Sequence, residues 1–529
     1  MKISSSKQIE YFSIVIASIS IFLFRTTIGD LGLGYMAACL VPFYIFRVLS
    51  GYESGNVIGR KMYLAANKGQ IGNFVTMKVV FRNLQIVIGF VSSVFYVLLT
   101  EKMLSDVFHM PHAYYIPIFL APALLIRNLN EYLSAYAKGR GVAKATWITD
   151  MIRPICILLF GFLFQHFLGE YGTKVSRLLL EEDYSNLYGC LGISIAYVLA
   201  EVIVFLYLEF VKWGIKRSPL PESQYGRVRE NTWTVLFASV EGRLPEMLNS
   251  LAMLMLFLIL MIRVSGAGAS NVYGMAGEYG AFICGYLTPV VFAVGLTIVV
   301  TCEICLKCCK AFKREVIREA REYFRYGIHV SVIMGSLFSV FLISLSGNLS
   351  VLLANENINI GDVLFKGAIV CLLAGPAWFF YRLLVFRGLG LYAFVCNMVA
   401  CAAGIGIGGI PGSKDIYLGI VVSIIIWLII NCIGLGALTF IRLNLNYDPI
   451  AGAIVPFLSC AVIGVFNMII SKMATPHLGG AFTSFICFVA MLIAYPTILL
   501  FLRNIDEREI KVLPLSRFLT ALGQFLRVL

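Results

Sequence analysis

Residues 29–46 read "GDLGLGYMAACLVPFYIF". After Asp30 the stretch carries no charge, and it opens a longer run, 32–51, broken only by Arg47. As a helix, roughly 18 to 25 apolar residues cross about 30 Å of hydrocarbon. Lipid offers no partner to a backbone N–H or C=O, so such a run has to be helical. Runs of this kind recur along the 529 residues, at about 9–28, 32–51, 79–100, 114–137, 145–168, 187–211, 234–262, 272–300, 326–347, 362–386, 390–410, 415–441, 450–471 and 478–502. Composition agrees: 59% of the residues are hydrophobic, 13% are charged, and mean hydropathy is +0.86. A soluble chain has about 25% charged residues. The expected fold class is an all-α polytopic membrane protein with about fourteen transmembrane helices. The first run reads as a retained span, because no small-residue cleavage site separates it from the second.

Lys and Arg orient such a bundle, since they collect on cytoplasmic loops. With the N-terminus inside, and with Arg82 and Lys366 at span edges counted with the adjoining segments, 29 of the 42 fall on inner segments, seven on outer loops and six within spans. Both termini are therefore expected to be cytoplasmic, with the chain in the cytoplasmic membrane. The net charge of +13 is then a topology signal, and no nucleic-acid partner follows from it. In the inner segment 301–325, Lys307, Lys310, Arg314, Arg318, Arg321 and Arg325 stand at steps of three and four. That spacing reads as one interfacial helix facing the anionic lipids of the inner leaflet. The run "CEICLKCCK" at 302–310 has no second ligand pair and no histidine nearby, so no metal is expected.

The chain repeats itself loosely. "APALLIRNL" (121–129) echoes "GPAWFFYRL" (375–383), and "RGVAKATWITDMI" (140–152) echoes "RGLGLYAFVCNMV" (387–399). Pro42 and Pro289, Arg140 and Arg387, Asp150 and Asn397 are each 247 positions apart. Parallel duplication is a transporter signature, with the substrate site between the halves. The expected organisation is an N-terminal lobe at 1–211, a cytoplasmic connection at 212–233 and a C-terminal lobe at 234–441. Two extra helices follow at 442–502, then a cytoplasmic amphipathic tail at 503–529.

Two six-span halves, two further spans, and the 29–46 stretch followed by a basic segment resemble the multidrug/oligosaccharidyl-lipid/polysaccharide exporter superfamily. "YAKGRGVAKATWITDMIRPICILL" (136–159) resembles the junction of spans four and five in its polysaccharide-flippase branch. The whole chain is more similar to the sporulation stage V protein B and lipid II flippase relatives than to the drug antiporters. The resemblance implies a cleft lined by spans one, two, seven and eight, and a path for a lipid tail shaped by the last two spans.

Apart from Arg82 at the edge of the third run, six arginines lie inside spans: Arg25, Arg47, Arg127, Arg153, Arg243 and Arg382. A charge at mid-span costs about 2.5–3.5 kcal/mol, so these groups need partners or a wet cavity. Arg47, Arg153 and Arg382 are near inner span ends, where snorkelling competes with function. Arg127 stands one turn before Glu131, which reads as an internal ion pair. Arg25 has Asp30 just beyond it, and Glu278 has no charged neighbour in sequence. "LFASVEGRLPEMLNSL" (236–251) places Glu241, Arg243, Pro245 and Glu246 in the inner half of span seven. They read either as a kinked structural ion pair or, preferred here, as a lining of the cleft. The expected substrate residues are Arg25, Arg47, Arg127 and Arg243. Expected ion, proton or cleft carboxylates are Asp30, Glu241, Glu246 and Glu278, with Pro42, Pro245 and Pro289 as hinges.

There is no Walker A sequence, no HExxH and no GxSxG, and the five histidines are dispersed. The expected function is a non-enzymatic, monomeric flippase for a lipid-linked anionic glycan, a polyprenyl-diphosphate sugar, working by alternating access. It needs no cofactor beyond a coupling Na⁺ or H⁺. Rival readings are a cation- or proton-coupled antiporter of the same superfamily and, more remotely, a membrane-bound transferase.

The orientation is testable. An impermeant thiol reagent added outside should miss cysteines introduced at 313 and 221 and reach one at 174. Labelling at 313 in intact cells would reverse the topology.

Overall fold

The computed structural model describes residues 6–51, 54–180, 184–216, 272–352, 359–408, 416–445, 448 and 450–510, with a few isolated positions elsewhere. Among these residues the chain is helical throughout, without strands. Among the described residues, ten helices are long and apolar enough to cross a membrane, or eleven if one bent pair counts as a single span. Helices overlie every expected span except the seventh, which lies almost wholly outside the described residues.

The chain packs as two compact units, Ile19–Gly280 and Met1–Ser18 with Ala281–Leu529. The first unit takes most of α1 (Ser6–Gly51), then α2 (Ser54–Asn67), α3 (Ile71–Asp106), α4 (Tyr115–Gly139), α5 (Ala143–Leu179), α6 (Tyr184–Lys216) and the start of α7 (Val272–Phe282). Gly29, with φ +64° and ψ −173°, breaks α1 between spans one and two. Only a residue without Cβ adopts that conformation cheaply. Each part, about 22 residues at 1.5 Å per residue, spans about 33 Å, one hydrocarbon thickness.

Lipid tails give helices no hydrophobic reason to associate, so close packing through small residues has to hold them. In this unit Phe24 fills the groove at Gly161, Ile28 that at Gly189, and Gly192 rests on the backbone of Phe164. The tightest approach joins the second half of α1 to α7. A Cβ on Gly280 would lie 1.8 Å from the Asp30 carbonyl oxygen, and one on Gly34 2.0 Å from that of Ala276.

The second unit contains a π turn at Ile283–Leu287, then α8 (Thr288–Lys313), α9 (Ile317–Ser344), α10 (Ser346–Leu352), α11 (Ile360–Gly367) and α12 (Val370–Phe386). These are followed by α13 (Gly390–Gly408), α14 (Ile416–Leu443), α15 (Val455–Leu478), α16 (Gly480–Phe501) and α17 (Glu507–Ile510). Pro289 has no N–H to continue the ladder. The widened turn precedes it, and the Thr288 hydroxyl donates to the Ile283 carbonyl at 2.8 Å.

The internal echo is visible in the backbone. At Arg140–Gly141–Val142 and again at Arg387–Gly388–Leu389, the glycine is left-handed (φ +82° and +77°). In both turns the three amides reach back four, three and five residues, ending on Val142→Ala137 and Leu389→Leu384 at 2.9 Å each.

One expectation changes. Residues 301–325 are not one helix: α8 runs to Lys313, the chain turns with Glu315 at φ +62°, and α9 starts at Ile317. The buried face of Cys305, Cys308, Cys309 and Phe312 packs on Ala320 and Phe324. Folding α9 back on α8 covers that apolar surface, which one straight helix would leave bare. In the first residues of the expected tail, Ile505, Glu509 and Ile510 are buried and Glu509 Oε1 lies 2.7 Å from His329 Nδ1. The rest of it falls almost entirely outside the described residues. Among the described residues no His, Cys, Asp and Glu group could hold a metal.

The Gly280 contact gives a stability prediction. Gly280→Leu should abolish monodisperse protein in size-exclusion chromatography, because backbone cannot rotate away from a clash. Gly277→Leu, where a Cβ meets nothing within 4 Å, should leave the profile unchanged.

Candidate functional site

The first unit buries a cluster of charges that draws on three helices. Arg127, Asn130 and Glu131 stand at i, i+3 and i+4 on α4, so they share a face. Asp150 and Arg153 stand at i and i+3 on α5, immediately before Pro154, and Glu201 is at the middle of α6. Glu201 joins them. Its Oε1 accepts from Arg127 Nη1 at 3.0 Å, and its Oε2 accepts from Asn130 Nδ2 at 2.8 Å. The same Asn130 amide also donates to the Glu201 carbonyl at 3.0 Å.

Arg153 Nε lies 2.7 Å from Glu201 Oε1, close enough for an ion pair. Its N–H is not aimed at that oxygen, and Arg153 Nε has no hydrogen-bond partner among the described residues. The contact is therefore Coulombic without the directional gain of a hydrogen bond. Glu131 and Asp150 are outer partners, 3.9 Å from Arg127 Nε and 3.5 Å from Arg153 Nη1. The Arg127, Arg153 and Glu201 side chains are 12%, 14% and 9% exposed, too little for water to screen them. At the centre, two guanidiniums share one carboxylate oxygen.

Arg47, on α1, stacks over the Tyr44 ring at 5.5 Å. It lies near enough to Arg153 for the two cations to act on each other. Among the described residues Arg47 makes no ion pair. Arg25, by contrast, is held by Asp30 through two hydrogen bonds, Nε to Oδ1 at 2.6 Å and Nη2 to Oδ2 at 3.2 Å. Glu278 is half-buried and has an interaction partner, so its isolation in sequence is not isolation in the fold. Pro42 is buried inside α1. Glu241, Arg243, Pro245 and Glu246 lie outside the described residues.

Of the expected residues, then, the structure places Arg127 and Arg47 in this neighbourhood and gives Arg25 and Asp30 to each other. The i,i+4 partner Glu131 is the loosest contact of Arg127, and Glu201 is the close one. Glu201 and Asn130 are not among the sequence candidates. A signal was present, since Glu201 is an acid at the middle of a long apolar run, with the next acid, Glu209, near the end of that run.

No protein-family model matches this chain, and no curated protein matches it. Solved structures do. A lipid II flippase, MurJ, in an inward closed conformation aligns with TM-score 0.64 at 13% identity, over 93% of this chain and 98% of that one. An inward-facing multidrug resistance MATE family transporter of the MOP superfamily aligns with TM-score 0.57 at 14% identity, over 88% and 96%. A eukaryotic MATE transporter, AtDTX14, aligns with TM-score 0.55 at 12% identity, over 82% and 95%. The chain has the fold of these transporters and is a multi-pass membrane protein.

The two outer carboxylates are fallback partners for the arginines, which sets an order of stabilities. Glu201→Gln alone should lower the melting temperature modestly, because Arg127 can turn to Glu131 and Arg153 to Asp150. Adding Glu131→Gln and Asp150→Asn should cost more than the sum of the separate changes, toward the roughly 3–5 kcal/mol of an uncompensated buried charge. Simple additivity in a thermal-shift series would show that the outer carboxylates do not share the load.

Proposed function

We propose that this chain is a flippase for an anionic lipid-linked glycan, carrying a polyprenyl-diphosphate sugar across the cytoplasmic membrane as a monomer with both termini inside. One observation carries the reading: at the centre of the buried cluster two guanidiniums meet one carboxylate oxygen, with Glu131 and Asp150 only as outer partners at 3.9 and 3.5 Å. Arg127 and Arg153 share Glu201 Oε1, and Arg47 stands near them with no ion pair among the described residues. Buried guanidiniums are planar donors suited to two oxygens of a phosphate. They are costly in lipid unless an anion answers them.

The fold supports a transporter over an enzyme. The likeness to the lipid II flippase extends over more of this chain than the likeness to the drug transporters. Transporters of this fold are known inward-facing and outward-facing, which is alternating access. In this chain the π turn before Pro289 and the break at Gly29 are places where a helix can bend without losing a full ladder of hydrogen bonds. The antiporter reading draws on Asp30 and Glu278 as ion or proton sites. The bidentate Arg25 contact already answers the Asp30 charge, which weakens that reading.

Transport of a prenyl-diphosphate sugar in proteoliposomes, normalised to protein, tests the proposal. Arg47→Ala should slow it about ten- to a hundred-fold, the loss of a charged hydrogen bond of about 1.5–3 kcal/mol. Arg47→Lys should recover only part, because an ammonium lacks the fork. Glu278→Gln should retain most activity. Full activity in Arg47→Ala, with loss in Glu278→Gln, would favour the antiporter instead.

A further inference from the structure

Arg153 and Arg127 touch the same oxygen, but on unequal terms. The Arg127 contact to Glu201 is a hydrogen bond at 3.0 Å, and Asn130 holds the other carboxylate oxygen at 2.8 Å. Glu201 is thus tied to α4 by two directed bonds. Arg153, from α5, is a third party. Its Nε comes within 2.7 Å without aiming its N–H, and among the described residues its one hydrogen bond to another carboxylate is to Asp150 at 3.5 Å. On the opposite side of the balance, Asn130 Oδ1 is a buried acceptor with no hydrogen-bond partner among the described residues, in a residue 2% exposed. An unmade hydrogen bond at a buried polar atom is costly. Two such atoms, one donor and one acceptor, therefore flank one carboxylate.

A phosphoryl group matches this pair: an anionic oxygen for the Arg153 N–H, and a P–OH or neighbouring hydroxyl for Asn130 Oδ1. We infer that Glu201 is the resident counter-ion of a phosphoryl-anion site, and that Arg153 is the residue that exchanges it for the incoming anion. Arg127, Glu201 and Asn130 keep their bonds and form the fixed frame. Arg153 gives up a contact that has no hydrogen bond and gains one that does. While the site is empty of anion, Glu201 prevents two buried cations from facing each other unanswered. It therefore lowers the cost of the unloaded state and competes with the loaded one.

The inference deepens the flippase reading, since a diphosphate is the headgroup that reading requires. Binding and translocation are measured separately. The purified full-length protein in lipid nanodiscs would be titrated by calorimetry with inorganic pyrophosphate and with farnesyl diphosphate.

Arg153→Ala should weaken binding at least about tenfold, and Arg153→Lys should recover little of it. Glu201→Gln, which removes the competitor but keeps the shape, should tighten binding about tenfold. Should that variant fail to fold, Glu201→Asp, whose shorter side chain withdraws from Arg153, should tighten it in the same direction. This ranking with either probe upholds the inference. A preference for farnesyl diphosphate identifies the anion as a lipid headgroup, and equal affinity for pyrophosphate identifies it as a free phosphoryl group.

A parent protein that binds neither probe overturns the inference. So does an Arg153→Ala variant that binds like the parent, or a folded Glu201 variant that binds no tighter. If the ranking holds while no lipid-linked sugar is translocated, the anion site stands and the flippase reading falls.

Discussion

A carboxylate taken out of water must be answered by cations, and Glu201 is where this protein meets that requirement. Its two oxygens hold Arg127 and Asn130 of α4, and Arg153 of α5 crowds the same point. None of these groups could stay charged alone at this depth. Together they fix the rotation of α4, α5 and α6 about their own axes, because turning any one of them by a residue strands a charge. Specificity of packing is the best-attested gain from buried polar groups in apolar surroundings. Here it coincides with the proposed chemistry: the charges that position the helices are also the ones that would meet an anion.

Around this cluster the unit is built from close contacts between small residues. Gly280 lies against the Asp30 carbonyl and Gly34 against that of Ala276, leaving no room for a side chain between α1 and α7. These contacts share Asp30 with the Arg25 pair, so this end of span two is held both by shape and by charge. The other unit uses neutral groups in a comparable setting. Trp427 Nε1 and Asn431 Nδ2 both donate to Asn397 Oδ1, at 2.7 and 3.1 Å. Asn397 is the residue that the 247-residue offset pairs with Asp150. The two positions are both polar but differ in charge, and it is the arginines Arg127 and Arg153 that set the first unit's cluster apart.

The helical turns at Arg140–Val142 and Arg387–Leu389 show why a faint sequence echo was informative. Both need a left-handed residue after the helix end, which Gly141 and Gly388 supply, and the same three backbone bonds close each turn. The surrounding side chains have diverged, but this geometry has one inexpensive solution, and the glycine remains.

The sequence by itself determined the class of the protein and much of its outline. Hydrocarbon thickness sets the length of an apolar run, and backbone polarity forces it to be a helix, so neither conclusion needs tertiary information. The 247-residue echo and the likeness to transporters came from the same source. Tertiary structure decided the partners. Glu131 is four residues from Arg127 and looked like its mate, yet Glu201, 74 positions away, is closer. Spacing along a helix shows which residues share a face but not which face a neighbouring helix turns toward it. The basic run at 307–325 failed for a related reason. Its three- and four-residue steps fit one helix, but the apolar face of Cys305, Cys308 and Phe312 is better buried when α9 folds back on α8. Periodicity records what a helix would gain locally. Only the folded chain shows that more apolar surface is covered by breaking it.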